Sequence, residues 1–318
     1  MSRTARKRRS HVIAWLVGLG WSAHCVLAGL PPQPPQPPAP RSQSAVAAIL
    51  AKAPKVTGPA AASPMTILLL ADVKDHGKDA HDYPLWQERW ARLLGGSATW
   101  GRGPVDLYNG AVSESAGAAG SSGVTVIKAQ SWPSQEQFDG ADVVVAFCYL
   151  KWDAVRTEQL RQYLARGKGF VAIHAATWTK PKPSSSVAAV LGIGGFQHYR
   201  HGIVQLQIDQ PEHPICLGLP RHIVLHDETY WPATPEPDSP GYTVLATSSE
   251  QIKPGAEVTK PQVIFWTAQP SGGRVFGCVL GHYTWSFDDP YFRILLLRGI
   301  AWAGGTNPHR FDSLASAR

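Results

Sequence analysis

Short, unbroken apolar runs recur along the chain between residues 65 and 280. Met65–Ala71, Val124–Lys128, Val143–Phe147, Phe170–Ile173 and Val275–Leu280 are rich in Val, Ile and Leu, with little polar alternation. Such runs suit parallel strands covered on both faces. Segments with helical spacing lie between them. Leu85–Leu94 repeats Trp86, Trp90, Leu93 and Leu94 at that spacing. Asp153–Arg166 carries Val155, Leu160, Tyr163 and Leu164, with Asp153 as N-cap and Gly167 as a stop. Pro290–Ala303 follows Asp288-Asp289 and carries Phe292, Ile294, Leu295 and Ile300. Strands that alternate with helices predict an α/β fold with a mostly parallel, doubly wound sheet.

One stretch breaks the alternation. Within 202–268 the runs Gly202–Ile208, Ile223–Leu225, Tyr242–Ala246 and Val263–Thr267 follow one another without helices, and Pro232, Pro235, Pro237, Pro240 and Pro254 punctuate them. We read strands and loops inserted over the carboxyl edge of the sheet, not a separate domain. Gly110–Gly123, rich in Ala, Ser and Gly, reads as a flexible surface loop.

The ends of the chain differ from this core. Arg3, Arg6, Lys7, Arg8 and Arg9 precede a mostly apolar stretch, Val12–Leu30. This is the pattern of an export signal, with Val26-Leu27-Ala28 offering a cleavage site after Ala28. Uncleaved, residues 12–30 would anchor the chain in a membrane. Residues 29–64, opening on the proline run 31–40, read as a disordered or weakly ordered linker with one short helical possibility at Ser44–Ala53. The folded domain then spans 65–305, and 306–318 form a C-terminal tail.

Charge and cysteines narrow the function. The net charge is +7, but residues 1–28 hold five basic residues and no acidic ones. The remainder carries 25 basic against 23 acidic residues, or +2. No basic patch for nucleic acid is indicated. Cys148, Cys216 and Cys278 are widely spaced, so no disulfide framework is expected.

Chemistry-bearing residues gather at the ends of the expected strands, where open α/β sheets bind ligands. The first loop reads Asp75-His76-Gly77-Lys78-Asp79-Ala80-His81-Asp82-Tyr83. His174 ends a strand and is followed by Ala175-Ala176, with no Cys or Ser at the turn where related architectures carry a nucleophile. Gly194-Gly195-Phe196-Gln197-His198-Tyr199-Arg200-His201 places two histidines three apart, a spacing suited to a helical face or a metal clip. His226-Asp227-Glu228-Thr229-Tyr230-Trp231 sets carboxylates beside aromatics, and Gly281-His282 ends the last strand.

Together these residues resemble the ThuA-like (trehalose-utilisation) family. The resemblance covers roughly residues 65–304. It rests on His81-Asp82, on Gly167–His174 and on Gly195-Phe196-Gln197-His198. It rests also on Glu212-His213-Pro214-Ile215, on His226–Tyr230, and on Arg274–His282 with its closing Gly299-Ile300-Ala301-Trp302-Ala303. It implies a flavodoxin-like α/β/α sandwich similar to class I glutamine amidotransferases, without their cysteine, and a link to sugar metabolism. His81-Asp82 stands where many members carry His-Glu, which argues against metal binding by the first loop.

The expectation is an exported protein acting on a sugar or keto-sugar by hydrolysis, elimination or isomerisation. His174, Glu228 and His282 are the catalytic candidates. His81, Asp82, Arg200, Asp227, Tyr230 and Trp285 are the substrate-binding candidates. His174, His198 and His282 would hold a divalent, zinc-like metal. The alternative is a non-catalytic carbohydrate-binding protein, whose Trp178, Tyr199, Tyr230, Trp231, Tyr283 and Trp285 would stack on sugar rings.

Overall fold

The computed structural model describes residues 36–95, 120–236 and 241–316. The expected signal segment, residues 31–35 of the proline run and the Gly110–Gly123 loop up to residue 119 lie outside them. No helix among the described residues is long and apolar enough to cross a membrane.

The core is one mixed sheet of nine strands: β1 (Met65–Ala71), β2 (Val124–Gln130), β3 (Val143–Ala146), β4 (Gly169–Ile173), β5 (His198–Ile208), β6 (His222–Trp231), β7 (Thr243–Gln251), β8 (Thr259–Ala268) and β9 (Arg274–Cys278). Their order is β2-β1-β3-β4-β9-β8-β7-β5-β6. The first five strands in that order pair in parallel. From β9 outward every pairing is antiparallel. This corrects the sequence reading. The 202–268 stretch does not lie over the sheet. It extends the sheet by four strands, so only half of the fold follows the parallel pattern.

The reason lies in burial. β1, β3 and β4 are almost wholly buried, which gives their continuous apolar runs. β5 and the first half of β6 alternate between buried and open positions, as strands with one solvated face do.

Two groups of helices cover the sheet. α3 (Tyr83–Gly95) and α7 (Pro290–Ala303) are bridged by the Phe287 ring, which contacts Trp86, Trp90 and Phe292. α5 (Ala154–Ala165) packs on α6 (Ser185–Leu191), and Phe138 of α4 (Gln135–Gly140) packs on Tyr163 of α5. Asp153 caps α5 by accepting from Arg156 N at 2.8 Å, as its position in the sequence implied. Cys148, Cys216 and Cys278 are buried free thiols.

Two segments expected at the margins are built in. Residues 36–53 are not a detached spacer. α1 (Gln43–Leu50) buries Val46 and Ile49, and Arg41 pairs with Asp289 at 2.8 Å. The tail forms a 3₁₀ helix, Pro308–Leu314, which buries Phe311 and ties Asp312 to Arg298 at 2.8 Å. Apolar side chains in both segments explain why they dock. α2 (Pro59–Ala62) is a single turn with no buried residue.

Candidate functional site

Four elements converge on one buried point. The loop after β1 supplies Asp75, His76 and His81. The turn after β4 supplies His174. β6 supplies Asp227, Glu228 and Tyr230, and the loop after β9 supplies His282. His174 sits at the sharp turn from β4 into a 3₁₀ helix, His174–Thr177, with φ of 50°. A non-glycine residue in that left-handed region is strained, and strain of this kind collects at functional corners.

Hydrogen bonds orient these imidazoles. His174 Nδ1 lies 2.7 Å from Val279 O, so it carries the hydrogen and donates. That leaves the Nε2 lone pair of a neutral His174 facing inward. His81 Nδ1 lies 2.8 Å from both Asp75 Oδ1 and the Tyr83 hydroxyl, and in the tautomer that donates to Asp75 its Nε2 is bare too. The two Nε2 atoms are 2.9 Å apart. Glu228 Oε2 lies 3.1 Å from His174 Nε2 and 2.7 Å from His282 Nδ1. His282 Nδ1 is 3.3 Å from His174 Nε2. Tyr230 places its hydroxyl 2.8 Å from His174 Nε2 and 3.2 Å from Glu228 Oε2.

Asp227 supports this centre from behind. It accepts from the backbone N–H of Gly281 and of His282, each at 2.9 Å, and so fixes the loop that carries His282. The His282 carbonyl in turn accepts from His81 N at 2.9 Å. Burial raises the Asp227 carboxyl, opposed by the His174 charge, the Ser286 hydroxyl and the Glu228 peptide N–H.

Burial disfavours the charged form of two of these imidazoles. Burial, then the neighbouring His174, His282 and His76, lower His81 from 6.5 to about 3. Burial lowers His282 as well. Burial alone would raise Glu228, but hydrogen bonds and charge from His174 and His282 hold its carboxyl far below the usual range. Burial, with Glu228 nearby, keeps the Tyr230 phenol protonated.

His81, His174, Glu228 and His282 each offer one ligand atom, all within 4.8 Å of one another. Ligands about 2.0–2.1 Å from a tetrahedral zinc lie about 3.3 Å apart, and the 2.7–3.3 Å separations given above reach that spacing once the donors part by a few tenths of an ångström. The group could therefore hold a metal. Above it opens a cleft of about 520 Å³, with an aromatic side formed by Tyr149, Trp178, Tyr199 and Tyr230. That volume is typical of small-molecule sites.

Several expected residues fall elsewhere. His198 is not near the centre. A strand turns successive side chains to opposite faces, so His198 and His201, three apart, cannot share one. His198 packs against Trp231, while His201 lines the cleft with its Nε2 3.6 Å from Glu228 Oε1. His81 stands in the cluster in place of His198. Arg200 faces away from the cleft and pairs with Glu250 at 2.5 and 2.7 Å. Asp82 pairs with Lys74 at 2.7 Å and helps cap α3, outside the centre. Trp285 does not line the cleft. It stacks behind Tyr283 and donates to His226 O at 2.9 Å. Asp227 and Glu228 lie within β6, not at its end. Asp75, His76 and His201 stood in the motifs without an assigned role. A period-two reading of Tyr199-Arg200-His201 would have singled out His201.

Comparison with known proteins follows the same lines. A family profile described as trehalose utilisation, ThuA, matches residues 89–303, more than half of the chain. The chain belongs to the ThuA family. A putative ThuA-like protein from Bacteroides uniformis ATCC 8492 matches with a TM-score of 0.56 at 18% identity, covering 80% of this chain and 99% of that one. A second putative ThuA-like protein, from Parabacteroides merdae ATCC 43184, gives 0.54 at 17% identity, covering 77% and 92%. At such identity the likeness shows the shared ThuA fold alone. None of the curated proteins matches this ThuA chain.

Proposed function

We propose that this protein is a metal-dependent enzyme acting on a small carbohydrate or keto-sugar. One observation carries the metal reading: three imidazoles and one carboxylate from four separate segments meet at a buried point, with one ligand atom of each inside 4.8 Å of all the others. His81, His174, Glu228 and His282 would hold a divalent, zinc-like ion. Such an ion would polarise a sugar hydroxyl or carbonyl.

The chain's own groups complete the chemistry. Trp178, Tyr149 and Tyr199 offer ring faces to a sugar. Tyr230 keeps its phenolic hydrogen and can donate it to a substrate oxygen. His201 is open to the cleft, and its Nδ1 is held 3.0 Å from the Tyr283 hydroxyl. Its Nε2 is thus positioned to take a proton from a substrate hydroxyl. Hydrolysis, elimination and isomerisation all draw on this equipment. The aromatic side also supports a second reading, a non-catalytic sugar binder.

The test is metal content by inductively coupled plasma mass spectrometry on untagged protein, beside a His174→Ala/His282→Ala variant. The expected result is near-stoichiometric metal that the variant loses. No metal in either, after reconstitution, overturns the metal mechanism and leaves the binder. We propose export as well, on the basic and apolar pattern of residues 1–28. N-terminal sequencing of the mature protein that begins at residue 29 would support it.

A further inference from the structure

The cleft carries one charge that the protein does not answer. Asp75 is engaged by His76 and His81, and Glu228 by His174 and His282. Lys180 also lines the cleft and is exposed, and no carboxylate among the described residues lies within ion-pair distance of its ammonium. Its Nζ instead sits 4.9 Å from the centroid of the Tyr149 ring.

The backbone beneath Lys180 is anchored. Buried Thr179 donates its hydroxyl to Gly194 O at 2.7 Å. Gly195, at φ +124°, approaches so closely that a Cβ there would meet Thr179 Oγ1 at 2.1 Å. The preceding Trp178 packs its ring 4.7 Å from that of Tyr230. The lysine thus stands on a fixed base at the cleft wall. Among the described residues Lys180 is the one ammonium lining the cleft, and it stands there without a carboxylate partner. An anionic group on a ligand would supply one.

We propose that Lys180 is a carboxylate subsite and that the ligand is an acidic sugar, a uronate or aldonate. This rests on the carbohydrate reading above and narrows it. A carboxylate suits the site better than a phosphate ester. A phosphate dianion is held by several cationic or backbone donors at once, and among the described residues neither an arginine nor a second lysine lines this cleft.

The experiment is isothermal titration calorimetry on the zinc-reconstituted full chain. Glucose and galactose would each be titrated beside the corresponding uronate, with glucose 6-phosphate as a further probe. The same series would be run on Lys180→Met and Lys180→Arg. At least one uronate should bind about tenfold more tightly than its parent hexose. Lys180→Met should abolish that ratio with hexose binding unchanged, and Lys180→Arg should restore most of it. Uronate affinity unchanged in Lys180→Met would overturn the subsite, because the carboxylate would then be held elsewhere. A Lys180-dependent preference for the phosphate ester over the uronates would overturn the carboxylate assignment. Hexose binding without any uronate preference would overturn this inference and spare the carbohydrate reading. No binding of any probe would overturn both.

Discussion

His174 and His81 set the terms at the scale of single residues. Each holds its Nδ1 against a fixed acceptor, and that orientation is what aims their lone pairs at one point. Stability should record the cost of keeping His81 unprotonated. Its folded value, about 3, lies below the usual 6.5, so the unfolded chain takes the proton first. The stability this secures is complete above about pH 6.5 and is lost as pH falls toward about 3, by up to about 1.4 kcal/mol per pH unit. Urea unfolding of metal-free protein at several pH values should show this loss, and His81→Gln should flatten the slope. An identical slope in the variant would assign the loss to other groups. His174 was legible in the sequence because an apolar run ends on it and the usual nucleophile is missing. His81 was harder to assign, since its partners are 93 and 201 residues away along the chain.

Register decides the site at the scale of elements. β5 and β6 pair antiparallel, with His201 opposite Glu228 and Tyr199 opposite Tyr230, so one face of this ribbon becomes the cleft wall. The local sequence showed strands here, but it could not show that they continue the same sheet. Strand-end logic holds for the parallel half, where β1, β4 and β9 deliver His81, His174 and His282. It failed for Glu228, which an antiparallel strand presents from its middle. The pairing of β6 with the loop after β9 depends on Asp227. Asp227→Ala would strand two buried N–H groups, at about 1–3 kcal/mol each. It should also weaken metal binding roughly 10- to 100-fold by freeing His282. Denaturant unfolding and competitive chelator titration measure the two effects separately. An unchanged metal affinity would show that Asp227 serves stability alone.

At the scale of the whole molecule, both ends of the described chain are structural. Phe311, wholly buried in the C-terminal 3₁₀ helix, closes against α7 and its neighbours. Phe311→Ala should cost about 3–5 kcal/mol, readable as a lowered denaturation midpoint, and a neutral result would mark the segment as dispensable. Little in the composition of 306–318 announced this, because a single aromatic and a single leucine do the packing. The N-terminal arm has a different consequence. β6 is the last strand of the sheet among the described residues, and none of these adds a further strand on its outer side. Arg41 takes up Val224 O at 2.5 Å, and Gln36 O accepts from His226 Nδ1 at 3.0 Å. An open sheet margin invites a strand from another molecule, the first step of aggregation. By laying its own residues along that margin, the arm makes the folded protein a poor template for its own copies.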